Sequence, residues 1–323
     1  MITNLDVVFA APTLQNQAMD FGDALLFSSL VWSDATPKLR IRRNGDKSTL
    51  VPIEGIRLRY SIDPSQTRRC VGHKPFRDPS TPWVDCDAAP LPQSRTCDRC
   101  SAIDATFASQ LHHAHTLGTG EIDAAVRTHL DKPNVAYLAG FRDGSVKIGT
   151  STAPRLETRL REQGAWAARI VAHTTNGFAV RVLEDTATAE LGLAQSVSMR
   201  RKLNGLTQPK PEDSLDRELS SWVFGVHRII NELDDDRLSP VDEPWENPLR
   251  GSPAWQGLHH YPHRLDGGAH DLQFMGACGR AVQAVRPGGD DRFVLDVGQL
   301  FGHEITLADD VVADEVTVQD SLF

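Results

Sequence analysis

Four cysteines fall within 31 residues: Cys70, Cys86, Cys97 and Cys100. Cys97-Asp-Arg-Cys100 has the tight spacing with which two thiolates reach one ion from a single turn. The full pattern, C-x15-C-x10-C-x2-C, offers the four sulfur ligands of a closed zinc site, which holds a fold and does not catalyse. His73, in Cys70-Val-Gly-His73, rivals Cys86 for one ligand position, and a redox Cys-x-x-Cys is the competing chemistry. Pro75, Pro79, Pro82, Pro90 and Pro92 leave this region few regular elements, so a metal is needed to order it.

The second chemical stretch runs from Val135 to Leu206 and is basic, with 11 Lys and Arg against 6 Asp and Glu over residues 135–210. Alternation from Val135 to Gly140, the Asp143-Gly144 turn signal and the return through Val146-Lys-Ile-Gly149 predict a β-hairpin. Leu156 and Leu160, with Arg155 and Arg159, predict a helix that ends at Gly164, and Val180 to Leu193 predicts another. Basic charge beside a turn-rich hairpin is suited to holding an anionic ester.

This order of elements resembles the GIY-YIG nuclease core. The first-strand tripeptide would be Val135-Ala136-Tyr137, and the second Lys147-Ile148-Gly149, with ten residues from Tyr137 to Lys147. The helix arginine would fall on Arg159, the metal-binding glutamate on Glu184 and the closing asparagine on Asn204. Two letters depart from the motif: Val135 replaces the first glycine, and Lys147 replaces the second tyrosine. Tyr-Leu-Ala, Lys-Ile-Gly-Thr-Ser and Glu-Gln-Gly-Ala after a cysteine cluster are closer still to an uncharacterised bacterial and archaeal family, in which a zinc-ribbon-like segment precedes such a core.

The resemblance implies an α+β fold: a zinc-ribbon-like segment, a GIY-YIG-like α/β core and a small β-rich C-terminal domain. It implies a Mg²⁺-dependent endonuclease acting on DNA or RNA, with Tyr137 and Lys147 preparing the water. Arg159 would clamp a phosphate oxygen and Glu184 would bind the magnesium, with Glu190 as the rival ligand. Arg155, Arg161, His173 and Arg181 would line the approach. A binding module that kept the fold and lost turnover is the alternative reading.

The rest of the chain must position these residues. Residues 1–66 read as a β-rich region, with a hairpin turn at Asn44-Gly45 and a strand from Ile56 bearing Arg57 and Arg59. The zinc-binding segment spans 67–118, and the core 119–237 closes on an amphipathic helix from Ser214 to Leu233. Composition suggests a Pro- and Gly-rich linker over 238–268, carrying His259, His260 and His263, and an acidic β-rich domain over 269–323. The N-terminal strands can complete the same β-unit as the C-terminal ones. Cys278 stands alone and reads as a small buried residue. His112, His113 and His115 cannot share one helical face.

Residues 211–323 hold 8 basic and 22 acidic residues, an imbalance suited to a basic protein partner or to masking the core. No apolar run approaches the ~18 residues of a membrane span, and the N-terminus lacks a signal-peptide pattern. The expected location is the cytoplasm, where thiols stay reduced.

Overall fold

The computed structural model describes residues 22–33, 35–75, 82–117 and 120–316. The start of the N-terminal region, Pro79 and the end of the C-terminal domain lie outside the described residues. The fold is mixed α+β, with a cysteine cluster and a β-rich C-terminal region.

The central sheet holds β5 (Asn134–Gly140), β6 (Val146–Thr152), β7 (Ala167–Thr174) and β8 (Leu238–Glu246) in the order β6-β5-β7-β8, all antiparallel. Gly144, at φ +83°, makes the β5–β6 turn, and the Asp143 carboxylate accepts the Ser145 amide at 3.0 Å. Every residue of β5 is buried, as a strand covered on both faces requires.

Alternate residues of β5 look to opposite layers. Ala136 and Leu138 join the core formed with α4 (Gly177–Leu191) and α6 (Glu212–Leu233), whereas Val135, Tyr137 and Ala139 face α3 (Leu156–Gln163). Helix α6 buries Leu215, Leu219, Val223, Val226, Ile229 and Ile230, the stripe its 3.6-residue period predicts. Asn176 caps α4 by accepting the Phe178 and Ala179 amides, and left-handed Gly164 ends α3.

Composition assigned 238–268 to a linker, yet its first nine residues form β8. The reason lies in Pro240 and Pro244: proline removes a ladder donor and is tolerated on an edge strand, which β8 is.

The two ends of the chain build one β-unit. In the first sheet, β13 (Glu304–Thr306) pairs with β1 (Ala24–Ser33), followed by β2 (Thr36–Arg43) and β3 (Thr49–Pro52). In the second, β4 (Arg57–Ile62) pairs with β10 (Gly268–Cys278), which continues through β11 (Ala281–Val285), β12 (Arg292–Asp296) and the short β9 (His259–His260). Leu25, Phe27, Leu58 and Tyr60 pack with Leu272, Phe274, Val282 and Leu295 in a shared interior. Ala281 and Val294 face the other way and join the core of the central sheet. Two glycine turns meet at this junction: a Cβ on Gly279 would lie 2.7 Å from the Gly164 nitrogen.

Helices α1 (Asp98–His112) and α2 (Ala124–Leu130) bridge the cysteine segment to the central sheet, with Ala114, Ile122, Val126 and Leu130 packed against Phe107, Leu111 and Phe178. Helix α5 (Met199–Thr207) closes on the hairpin, where Gly205 lets its backbone approach Asp143. No helix of the described residues is long and apolar enough to cross a membrane.

Candidate functional site

The sulfur atoms of Cys70, Cys86, Cys97 and Cys100 all lie within 4.8 Å of one another. Cys86 and Cys97 are 3.8 Å apart, and a tetrahedron with Zn–S bonds of about 2.3 Å has edges of about 3.8 Å. The donors therefore fit a zinc-like metal ion. The Cys97 and Gly72 amides both donate to Cys70 Sγ, at 3.2 and 3.4 Å. Gly72 is required here: at φ +82°, a Cβ would stand 2.2 Å from the Val84 carbonyl oxygen. The rivalry between Cys86 and His73 resolves by place. Cys86 sits in the cluster, while His73 Nδ1 lies 3.2 Å from Cys100 Sγ and contacts a ligand from outside.

A second site opens along β6, the other edge of the central sheet. A cleft of about 230 Å³ is walled by Phe107, Leu111, His129 and Leu130 on one side. Thr150, Ser151 and Thr152 of β6, Arg155 just before α3, Arg159 of α3, and Gly177 and Arg181 of α4 complete it. Among the described residues no carboxylate is part of its wall, although Glu162 and Glu184 pair with its arginines from outside it. Burial, with the charges of Lys132, Arg155 and Arg181, pushes the His129 imidazole pKa down. Three arginines and a helix N-terminus around a polar cleft favour an anion with several oxygens.

Behind this cleft, Tyr137 and Lys147 share the face of the sheet that α3 covers. Tyr137 stands opposite Gly149 in the β5–β6 ladder, and its ring lies where a side chain on Gly149 would be: a Cβ there would come 2.7 Å from the hydroxyl oxygen. The Gln163 amide donates to that hydroxyl, and Arg159 reaches it from the cleft side. Burial raises the Tyr137 pKa, against the opposing pull of Arg159.

Lys147 donates to the Gln195 carbonyl at 3.1 Å. Burial, with the positive charges of Arg159 and Lys202, lowers its pKa to about 8, and Glu184 acts in the other direction. Arg159 and Glu184 thus act on both Tyr137 and Lys147. Glu184 is buried, and its carboxylate accepts from Arg181 at 2.5 Å, one helical turn away. Arg159 is the exposed member of the group, with Glu162 at 3.9 Å.

The remaining predicted residues divide. Arg155 and Arg181 line the cleft. Arg161 turns to the opposite flank of α3, where Glu157 accepts from it at 2.5 Å. His173 pairs with Glu243 of β8 at 3.1 Å, away from the cleft. Glu190 faces α6, 3.5 Å from Arg228, so it does not compete with Glu184 for an ion at the cleft. Asn204 is exposed on α5 and lines no part of the cleft. Arg57 is committed to Asp271, and His263 to the Glu315 carbonyl.

Four contributors are absent from the sequence reading. Gln163, read only as part of the Glu-Gln-Gly-Ala run, received no role there, although Arg155, Arg159 and Gln163 follow the i, i+4, i+8 row that would have found it. His129 and Asn134 reach the cleft from α2 and the start of β5. Lys202, in α5, donates to the Gln163 carbonyl at 2.8 Å, and burial lowers its pKa to about 8. Its signal, one lysine in Arg-Arg-Lys, does not separate it from its exposed neighbours.

In comparison with known proteins, one family profile, described as a protein of unknown function (DUF2797), matches residues 61–244. That span takes in the cysteine cluster and the whole central sheet except the last two residues of β8. No curated protein and no solved structure matches the chain.

Proposed function

The chain belongs to this DUF2797 family, and we propose that it acts on nucleic acid, gripping and cleaving a phosphodiester with a GIY-YIG-like core. The observation that carries the reading is the cleft at the β6 edge, where Arg155, Arg159 and Arg181 meet and, among the described residues, no carboxylate is part of the wall. Arg159 of the cleft and the buried Glu184 both act on Tyr137 and Lys147. The cysteine cluster, as a zinc site, anchors α1, whose Phe107 and Leu111 form the facing wall. Reduced thiols at that cluster suit the cytoplasm.

Hydrolysis requires a water whose oxygen bonds to phosphorus as the P–O bond to the leaving nucleotide breaks. Lys147, with its pKa near 8, has a neutral amine fraction that takes the proton of that water. Arg159 and Arg155 stabilise the charge that builds on the non-bridging oxygens. Mg²⁺ keeps several waters and needs one or two carboxylates, and Glu184, the carboxylate that holds Arg181 of the cleft wall, is the residue that would hold it. When bound, the ion would add Lewis-acid stabilisation of the phosphoryl oxygens.

A second reading has its own observation. Glu184 is already paired with Arg181, and the Tyr137 hydroxyl is sealed beneath α3, an arrangement suited to a module that binds a strand and does not turn it over. The acidic C-terminal third of the chain could also recruit a basic protein partner, which a pull-down with the full chain would capture. Incubation with labelled single-stranded, duplex and branched DNA and RNA, with and without Mg²⁺, separates cleavage from binding. Mg²⁺-dependent products that vanish in Glu184→Ala and Arg159→Ala support the enzyme. Cleavage that survives in both variants refutes these assignments, and salt-sensitive binding without products selects the module.

A further inference from the structure

A larger cavity, about 490 Å³, lies at the other end of α3, where the central sheet meets the β-unit. Trp32, Leu30 and Phe301 of the β-unit line it together with Met199 of α5, and Lys202 and Arg280 stand at its edge. Its volume is that of a small-molecule site. Two of its polar side chains carry unpaired buried oxygens. Glu162 and Gln163 of α3 and Ser29 of β1 line the wall. Gln163 is 8 % exposed; its amide nitrogen donates to Tyr137, while Oε1 has no hydrogen-bond partner among the described residues. The buried Ser29 hydroxyl oxygen is also without one. A buried acceptor left unpaired costs about 1–3 kcal/mol, so this wall is suited to a ligand that brings N–H donors.

The cavity and the basic cleft are two stations on one helix. Arg159 lines the cleft and Gln163 lines the cavity, one turn of about 5.4 Å further on. Lys147 sits between them, feeling both Arg159 and Lys202. The Gln195 carbonyl that receives Lys147 lies two residues from Val197, which lines the cavity. A track of cations therefore runs from Arg181 through Arg159 and Lys147 to Lys202 and Arg280, ending in an aromatic pocket.

We propose that this cavity seats an unstacked, amino-bearing nucleobase of the strand whose phosphodiester lies in the cleft, an assignment that rests on the nucleic-acid reading above. Trp32 and Phe301 supply apolar and aromatic wall for the ring. The unpaired Gln163 Oε1, with the Ser29 hydroxyl on the facing wall, receives the exocyclic amine, the chemistry by which amides read such bases. Lys202 holds the adjoining phosphate, while Arg280, which donates to both Asp296 oxygens, stays with its own partner. The β-unit thereby becomes the element that selects the base, and the central sheet the element that holds the phosphodiester.

The test compares a fluorescein-labelled cytosine oligonucleotide of about eight nucleotides with the same backbone made abasic, by anisotropy with the full zinc-loaded chain. The wild type should bind the base-bearing strand roughly tenfold more tightly, as loss of a stacked base predicts. That gap should close in Met199→Trp, which fills the cavity, and shrink in Gln163→Leu, which removes the acceptor. Thymine in place of cytosine should weaken binding about as much as Gln163→Leu does. Equal affinity for both backbones overturns the base pocket while leaving the phosphate site standing. A gap that persists in both variants overturns it as well. Failure to bind either strand at any salt concentration removes the underlying nucleic-acid reading too. Displacement of the strand by an equimolar cytidine monophosphate would make the ligand a free nucleotide and overturn the strand assignment.

Discussion

The cysteine cluster and the basic cleft are built on opposite plans. The cluster draws its four sulfurs from one 31-residue segment. Its geometry is closed, with nothing left for a substrate to contact. The cleft takes its lining from α1, α2, β5, β6, α3 and α4, and several of its charges are held by internal partners: Arg155 by Glu162 and Arg181 by Glu184. A site made by one short segment depends on a metal to exist at all. A site made by many elements inherits its shape from the core and depends on that core remaining in register.

The largest test of this contrast is removal of the metal. Binding of structural zinc is worth roughly 10–16 kcal/mol in small domains, more than a segment with so little apolar core retains on its own. Chelation, or Cys100→Ser, should unfold residues 82–117 and lower the helical circular dichroism signal. Because α1 carries Phe107 and Leu111 of the cleft wall, oligonucleotide binding should fall with it. Retention of the full helical signal after complete zinc loss would erase the distinction between the two sites.

Next in size is Arg159→Ala. Its side chain is 47 % exposed, so folding should be barely affected, whereas loss of one charge-stabilising donor should slow cleavage by about 10²–10³-fold. Unchanged turnover with an unchanged melting temperature would show that the cleft does not hold the reacting phosphate. Gly149→Ala reverses the pattern. Its Cβ would strike the Tyr137 ring at 2.7–2.9 Å, and such overpacking costs about 1–3 kcal/mol, seen as a lower urea midpoint. No loss of stability would mean that Tyr137 has room to move away.

Glycine 149 also shows what was legible in the sequence. The hairpin, its Asp143-Gly144 turn, helices α3, α4 and α6 and the cysteine quartet could be read because each rests on local pattern: alternation, a 3.6-residue period, ligand spacing. That the two ends of the chain could share one β-unit was open in the sequence, but the pairing of β4 with β10 across some 200 residues leaves no local pattern to fix it. Within the site, Arg155, Arg159 and Arg181 were legible as cations near the hairpin, but nothing in the letters said which cations face the cleft. Arg161 and His173 look equivalent to them in the sequence and are turned away by Glu157 and Glu243. The proline-bearing strand β8 was hidden because proline argues against a strand except at an edge.

A smaller effect should appear in the pH profile. Lys147 is charged below its pKa of about 8, so its neutral fraction, and with it a base-dependent rate, should rise with pH and level off above that value. Lys147→Met should remove the rise. A wild-type rate that is flat from pH 6 to 9, on the ~10-fold-per-unit scale of a single ionisation, would leave Lys147 as a fixed charge. Smallest of all, Arg217→Ala breaks an exposed ion pair with Asp213 on α6 and should change stability by less than about 1 kcal/mol and binding not at all.

The account stands on the claim that the cleft at the β6 edge holds a phosphodiester backbone. The most direct measurement is the salt dependence of binding to a single-stranded oligonucleotide for the wild type and for Arg155→Ala/Arg159→Ala. Each phosphate contact contributes about 0.7 to the slope of log K against log salt for a single strand, so the double variant should have a slope shallower by about 1.4 with an unchanged melting temperature. A wild-type affinity indifferent to salt, or an identical slope in the variant, would contradict the claim.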